Sequence, residues 1–237
     1  MRMRRATFAA AVTAVLLLLL AGPGVRLGLW SFQSGFSLLR WGAYLGIAVV
    51  VTSVLQLLSS RTRGPKPWPL LGALALGLLA AGVPWYWLHV AKRVPPIHDI
   101  STDTRDPPLF VAVLPLRAGA SNPAAYGGPQ VAAAQKQAYP DIRPLELPGT
   151  TPGRAFDRAL AAARDAGWAI VAADSADGRI EATATTGWFG FKDDVVIRVR
   201  PDGSGSRLDV RSVSRVGGSD VGTNARRIRA YLRRLAE

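Results

Sequence analysis

The fold of the second half of the chain is decided by an alternating stretch, Arg179-Ile180-Glu181-Ala182-Thr183-Ala184-Thr185-Thr186. Successive side chains of a β-strand point to opposite faces, so Ile180, Ala182 and Ala184 should point into a core. The polar side chains between them should lie on the opposite face. The stretch therefore predicts one strand of a sheet that buries one face.

Strong turn signals separate this strand from its neighbours. Asp177-Gly178 precedes it, and Asp202-Gly203-Ser204-Gly205 lies further along; both are typical of hairpins. Around these turns we predict three further strands, near residues 168–173, 194–200 and 206–215. Trp188-Phe189-Gly190-Phe191 interrupts the alternation and predicts an aromatic turn, which could contact lipid headgroups, grip a partner or pack into the core.

Two amphipathic helices flank the predicted strands. Thr151 can cap the first helix, with Pro152 at its first position and Gly167 after its end. The second starts at Ser219 or Asp220 and places on one face Val221, Ala225, Ile228, Leu232 and Leu235. Helix, four antiparallel strands and helix together predict an α+β two-layer sandwich.

Residues 91–150 are rich in proline, which forbids long helices. Only a short helix around Val131–Ala138 is compatible with this composition. An irregular segment of this length is unusual within a compact domain. We therefore expect it to wrap the folded part in an extended conformation or to carry a site.

The first ninety residues contain three uncharged apolar runs, at about residues 6–22, 41–58 and 68–90. A membrane span needs about 20 such residues, and in lipid they must form helices. We expect Pro84 to kink or end the third helix. Residues 1–92 are thus predicted to be a membrane anchor, and residues 93–237 a soluble domain.

The charges around the apolar runs predict the orientation. Arg2, Arg4 and Arg5 precede the first run, and Arg61, Arg63 and Lys66 lie between the second and third. Positive residues favour the cytoplasmic side. The soluble domain is then periplasmic, attached to a bacterial inner membrane. The first run also resembles a cleaved signal peptide, and cleavage would leave the domain on the same side.

The net charge of the 237-residue chain is +13, and it contains no cysteine. The lack of cysteine excludes disulfides, thiolate catalysis and cysteine-bound zinc. Much of the N-terminal charge has a topological explanation and no nucleic-acid motif is present, so we expect no nucleic-acid partner. No cofactor or metal site is expected either.

Several motifs resemble the family catalogued as domain of unknown function 1499. They lie, in order, at residues 96–103, 106–108, 139–142, 186–194 and 212–225. The resemblance covers roughly residues 94–236, and its multi-span anchor is similar to that of some bacterial members. The name of the family implies no activity that could be transferred to this chain.

Two groups of residues are candidate sites. His98, Asp99 and Asp103, with Asp106 nearby, could perform acid–base chemistry or hold a cation, or they could only form turns. Arg198, Arg200, Arg211 and Arg215 should lie on the polar sheet face. There they could bind an anionic lipid or glycan, or pair with aspartates of the proline-rich segment if it covers that face.

A further pair of carboxylates, Asp193 and Asp194, is adjacent on a predicted strand and should point to opposite faces, which favours structural ion pairs. Three function classes remain open. The favoured one is a binding or scaffold protein with a periplasmic domain, possibly for an anionic envelope component. The alternatives are an enzyme using His98, Asp99 and Asp103, and a membrane-complex subunit that acts through its helices.

Overall fold

The computed structural model describes residues 2–59 and 67–236, and the chain forms two compact units. The first consists of residues 1–92 and 187–190, and the second of residues 93–186 and 191–237. Arg61, Arg63 and Lys66, which we predict to be cytoplasmic, lie outside the described residues.

Three long apolar helices form the first unit: α1 (Arg2–Arg26), α2 (Phe32–Ser59) and α3 (Trp68–Lys92). Their most apolar windows have mean hydropathies of 2.2, 1.8 and 1.6, and all three are long enough to cross a membrane. The three predicted apolar helices are confirmed, although α1 and α2 begin earlier than expected. Pro84 does not end α3, which continues for two turns beyond it because one missing N–H leaves the neighbouring helical bonds in place.

Small residues let the helices of this unit approach closely. A Cβ atom added to Gly46 of α2 would lie 2.9 Å from the carbonyl oxygen of Gly77 of α3. Gln56 donates a hydrogen bond of 2.7 Å to the hydroxyl of Thr7 across α2 and α1. Close backbone contact and interhelical hydrogen bonds are the usual means by which helices associate in lipid.

The second unit is an α+β domain with one antiparallel sheet. Its strands are β1 (Asp99–Ser101), β2 (Leu145–Leu147), β3 (Ala169–Asp174), β4 (Arg179–Thr185), β5 (Lys192–Asp202) and β6 (Gly205–Ser214). Its helices are α4 (Gly128–Ala138), α5 (Pro152–Asp165) and α6 (Thr223–Ala236), and a 3-10 turn lies at Leu114–Arg117.

The sheet order is β1-β6-β5-β4-β3, and β2 pairs with β6 beside β1. The α+β class is confirmed, but the prediction of four strands is wrong because the sheet has six. β1 and β2 are three residues long, so they show no periodicity that a sequence pattern could reveal. Both strands pair with β6 at the same edge of the sheet, where Asp99 of β1 lies opposite Val213 and Leu147 of β2 lies opposite Ser206.

The helices α5 and α6 cover one face of the sheet. Ile180, Ala182 and Ala184 point into this core as predicted, and the ring of Trp168 stacks on that of Tyr231 at 4.9 Å. Asp220 accepts backbone N–H bonds from Gly222 and Asn224 at 2.8 Å each, which caps the start of α6. We call this side of the sheet the helix face.

Candidate functional site

The opposite side of the sheet is covered by the segment between β1 and α4. We call this segment, residues 102–127, the strap. Phe110 and Val113 of the strap are buried against Val196 of β5 and Val213 of β6. The strap therefore covers much of the polar face, and of the four arginines predicted to lie on it only Arg200 stays largely exposed.

Arg211 lies at the centre of this interface and is fully buried. Its Nε and Nη2 donate hydrogen bonds of 2.9 and 2.8 Å to the two carboxylate oxygens of Asp99. Further bonds reach the carbonyl oxygens of Pro108 and Ala124. The planar guanidinium is thus paired in the bidentate manner that arginine favours.

Aromatic rings complete the surroundings of Arg211. Its guanidinium carbon lies 5.1 Å from the ring centre of Phe110 and 5.4 Å from that of Tyr126. Burial, followed by the negative charge of Asp99, raises the pKa of Tyr126 to about 12. The phenol therefore stays protonated at physiological pH.

Asp194 forms a second buried cluster. Arg117 of the strap donates to it at 2.6 Å, Arg215 at 2.8 and 2.9 Å, and the hydroxyl of Thr183 at 2.8 Å. Burial alone would raise the pKa of Asp194, but the hydrogen bonds from Arg215, Thr183 and Arg117 outweigh it and lower the pKa. Asp194 is consequently ionised in the folded protein and is a poor proton acceptor near pH 7.

A third cluster joins the start of the strap to β5 and β6. Arg198 is bound to Asp209 at 2.9 Å and to Asp106 at 3.1 Å. Arg207 reaches Asp103 at 2.6 Å, and Arg200 reaches Asp106 at 2.9 Å. Of the four arginines proposed as ligand-binding residues, only Arg200 keeps about half of its side chain, 53%, in solvent.

Asp103 combines an ion pair with a turn. Its Oδ1 accepts the backbone N–H groups of Arg105 and Asp106 at 2.9 and 3.0 Å. Burial acts to raise the pKa of Asp103, but these N–H bonds and the charges of Arg207 and Arg198 lower it overall. The turn holds the strap at the point where it begins to cross the sheet.

Glu181 fastens the middle of the strap. Its side chain, fully buried on β4, accepts the backbone N–H groups of Val111, Ala112 and Val113, with distances of 3.0 to 3.1 Å. Arg179 approaches the same carboxylate at 3.1 Å. Three successive N–H groups converging on one carboxylate form an anion-binding concavity, here filled by a residue of the protein itself.

The residues of the predicted acid–base cluster have separate roles. Asp99 is occupied by Arg211 and Asp103 by Arg207, while the Nδ1 atom of His98 is buried without a hydrogen-bond partner in the described residues. His98 precedes Asp99 in an extended segment, so their side chains should point to opposite sides. No group of three acidic or histidine side chains placed to hold a metal ion occurs among residues 2–59 and 67–236.

Asp193 and Asp194 point to opposite faces, as predicted. Asp193 lies on the helix face and pairs with Arg227 of α6 at 2.6 Å, whereas Asp194 pairs with Arg215. Their predicted roles as structural ion pairs are confirmed.

Two residues that hold the strap, Glu181 and Arg117, were not predicted from the sequence to do so. Glu181 is the only acidic residue of its strand, and Arg117 ends an uncharged run that begins at Pro107. A lone charge in such surroundings is a usable signal, because a buried charge needs a partner. Trp188, by contrast, is 47% exposed in the turn between β4 and β5.

Most of the second unit matches a known protein family. Residues 99–235 match a family model whose description is "Protein of unknown function (DUF1499)". None of the curated proteins matches the chain.

Proposed function

Because the chain belongs to the family described as protein of unknown function DUF1499, whose description names no activity, we propose a function from its own geometry. We propose a membrane-anchored binding or scaffold protein that recognises its partner through the outer surface of the strap. This proposal rests on the observation that the exposed large apolar side chains of the second unit lie together on this surface.

Four aliphatic side chains form this surface. Leu109 is 70% exposed, Val111 51%, Leu114 46% and Leu116 52%. Among the described residues of 93–186 and 191–236, the exposed large hydrophobic side chains all belong to these eight positions, 109 to 116. Exposed apolar groups scattered singly need no explanation, but a clustered set marks an interaction surface.

The polar clusters beneath the strap explain how such a surface stays folded. Glu181 fixes the backbone of residues 111–113, and Arg211 and Asp194 fix the later part through Ala124 and Arg117. A surface that is already ordered loses little conformational entropy on binding. This rigidity favours recognition over a flexible lid that would open above a catalytic site.

We place the domain on the outer, periplasmic side of a bacterial inner membrane, because the positive charge of Arg2, Arg4 and Arg5 favours a cytoplasmic N-terminus. Three spans then return the chain to the outside.

An anionic envelope component is a second candidate partner, and Arg200 is the residue that favours it. Its side chain is half exposed, and its guanidinium shares Asp106 with Arg198. Arg198, Arg211 and Arg215 are already neutralised by carboxylates. We therefore expect Arg200→Ala, in the full chain reconstituted into vesicles, to reduce the enrichment of spin-labelled phosphatidylglycerol around the protein, while Arg143→Ala, a control at another exposed arginine, leaves it unchanged.

Cysteine labelling tests the main proposal, since the chain has no cysteine of its own. Single cysteines replace Leu109, Leu114 or, as a control on the exposed side of α5, Asp157. Right-side-out membrane vesicles are treated with a membrane-impermeant maleimide. We expect rapid labelling at position 157 and slow labelling at positions 109 and 114, because a bound partner shields the strap.

Equal labelling at all three positions would show that the strap surface is free, which would overturn the proposal. Labelling at position 157 only after the vesicles are opened would overturn the outward placement. Circular dichroism of each variant checks that the domain remains folded.

A further inference from the structure

We propose that the partner of the strap surface is the lipid bilayer itself, so that the domain lies against the headgroup region of the membrane that holds its helices. This inference rests on the proposed function, because it identifies what covers Leu109, Val111, Leu114 and Leu116.

The chemistry of the strap favours hydrocarbon. Residues 107–116 read Pro-Pro-Leu-Phe-Val-Ala-Val-Leu-Pro-Leu, without one polar or charged side chain. Surface connections are usually polar, because water surrounds them. Here the inward-pointing Phe110 and Val113 complete a small core, and the outward-pointing residues are aliphatic.

The backbone of this run is also prepared for a medium with little water. Three of the ten residues are prolines, which have no N–H group. Residues 111–113 donate their N–H groups to Glu181, while Leu114 donates to the carbonyl of Val111 and Leu116 to that of Val113. Eight of the ten residues thus present no unsatisfied N–H group, which matters because an unpaired backbone group is strongly disfavoured in lipid.

The same residues are poorly suited to a protein partner. Interfaces between proteins take most of their binding energy from tryptophan, tyrosine and arginine, and leucine and valine are under-represented. The outer strap surface carries only leucine and valine among its large side chains. Burial of aliphatic groups in the headgroup–acyl boundary requires no such specific contacts.

The connection to the anchor makes weak contacts sufficient. Residues 93–98 join α3 to β1, and six extended residues span at most about 20 Å. A tethered domain encounters the bilayer at a high effective concentration, so a modest apolar surface can keep it bound.

The full chain, purified and reconstituted alone into vesicles, tests the proposal. An environment-sensitive NBD fluorophore is attached to a cysteine replacing Leu114 or Leu116, or to the control cysteine replacing Asp157. Vesicles consist of phosphatidylcholine, with and without phosphatidylglycerol, and contain lipids with a spin-label quencher in the acyl chain.

We expect probes at positions 114 and 116 to emit at shorter wavelength and to be quenched several times more strongly than the probe at position 157, with or without the anionic lipid. A requirement for phosphatidylglycerol would overturn the apolar contact in favour of Arg200. Emission and quenching equal to those of the control would overturn the lipid proposal outright.

Failure of this inference is distinguishable from failure of the proposed function. Shielding from maleimide in native vesicles without quenching in pure lipid would point to a protein partner, so only the lipid proposal would fall. Exposure in both systems would remove both proposals. A Leu109→Ser, Leu116→Ser variant carrying the probe at position 114 should lose most of the quenching, and retained quenching would count against the aliphatic contact.

Discussion

Replacing Glu181 with glutamine should release the strap at its centre. The fully buried carboxylate accepts three backbone N–H groups and contacts Arg179. Glutamine has the same shape but only one acceptor oxygen, and its amide group would face donors. At least one of the three N–H groups loses its acceptor, and a hydrogen bond to a charged group contributes about 1.5–3 kcal/mol.

Adding the cost of the misplaced amide gives a loss of about 3–5 kcal/mol in the free energy of unfolding, within the range for a broken buried network. For a domain of this size that corresponds to a decrease in Tm of roughly 10 °C or more. Glu146→Gln is the matched control, because Glu146 lies exposed on β2. It should leave Tm unchanged.

Differential scanning calorimetry of the full chain in lipid nanodiscs measures both variants. A Tm for Glu181→Gln that equals that of the wild type would show that the carboxylate does not hold the strap. A decrease of similar size in Glu146→Gln would show that the effect belongs to any glutamate on this sheet.

Three further substitutions test other contacts of the two units. Because the pKa of Asp194 is lowered in the folded protein, its contribution to stability is complete above the unfolded pKa of about 3.9 and is lost as the pH falls through the lower folded pKa. We therefore expect Asp194→Asn to be less stable than the wild type near pH 7, and the difference in free energy of unfolding to become smaller in unfolding curves at acid pH. Arg211→Met leaves the Asp99 carboxylate buried and unpaired and should lower the free energy of unfolding by about 3–5 kcal/mol in denaturant. Adding Asp99→Leu should restore part of this loss. If the losses of the two single substitutions simply add in the double variant, the two residues are not coupled as a pair. Gly46→Leu should lower the thermal stability of the helical unit in detergent, because its Cβ would meet a carbonyl oxygen at 2.9 Å, whereas Gly82→Leu, with open space around it, should not.

The alternation of the strands was sufficient to predict which side chains share a face. Ile180, Ala182 and Ala184 lie in the core, and Arg198 and Arg211 lie on the other face, because the period of a strand depends only on local geometry. The long apolar helices were predictable for a similar reason, since their length and composition are local properties.

The closure of the polar face was predictable only as one of two alternatives, in which aspartates of the proline-rich segment pair with the arginines, and the contacts that hold the strap were not predictable. The strap is irregular, and Glu181 meets backbone groups about 70 positions away in the sequence. Backbone N–H groups are present in every residue except proline, so no pattern of residue types reveals which of them will meet a carboxylate. The acidic residues Asp99 and Asp103 suggested catalysis because their arginine partners are distant in sequence.

The strap is a fixed part of the domain that covers the arginine face and presents its apolar side outward. Hydrogen exchange of the full chain in nanodiscs tests it directly at the amides of Val111, Ala112 and Val113. We expect exchange as slow as that of the amides of β5, because both require unfolding of the whole domain. Exchange at the rate of an unstructured peptide would show instead that the strap lifts freely and leaves the arginine face open as a ligand site.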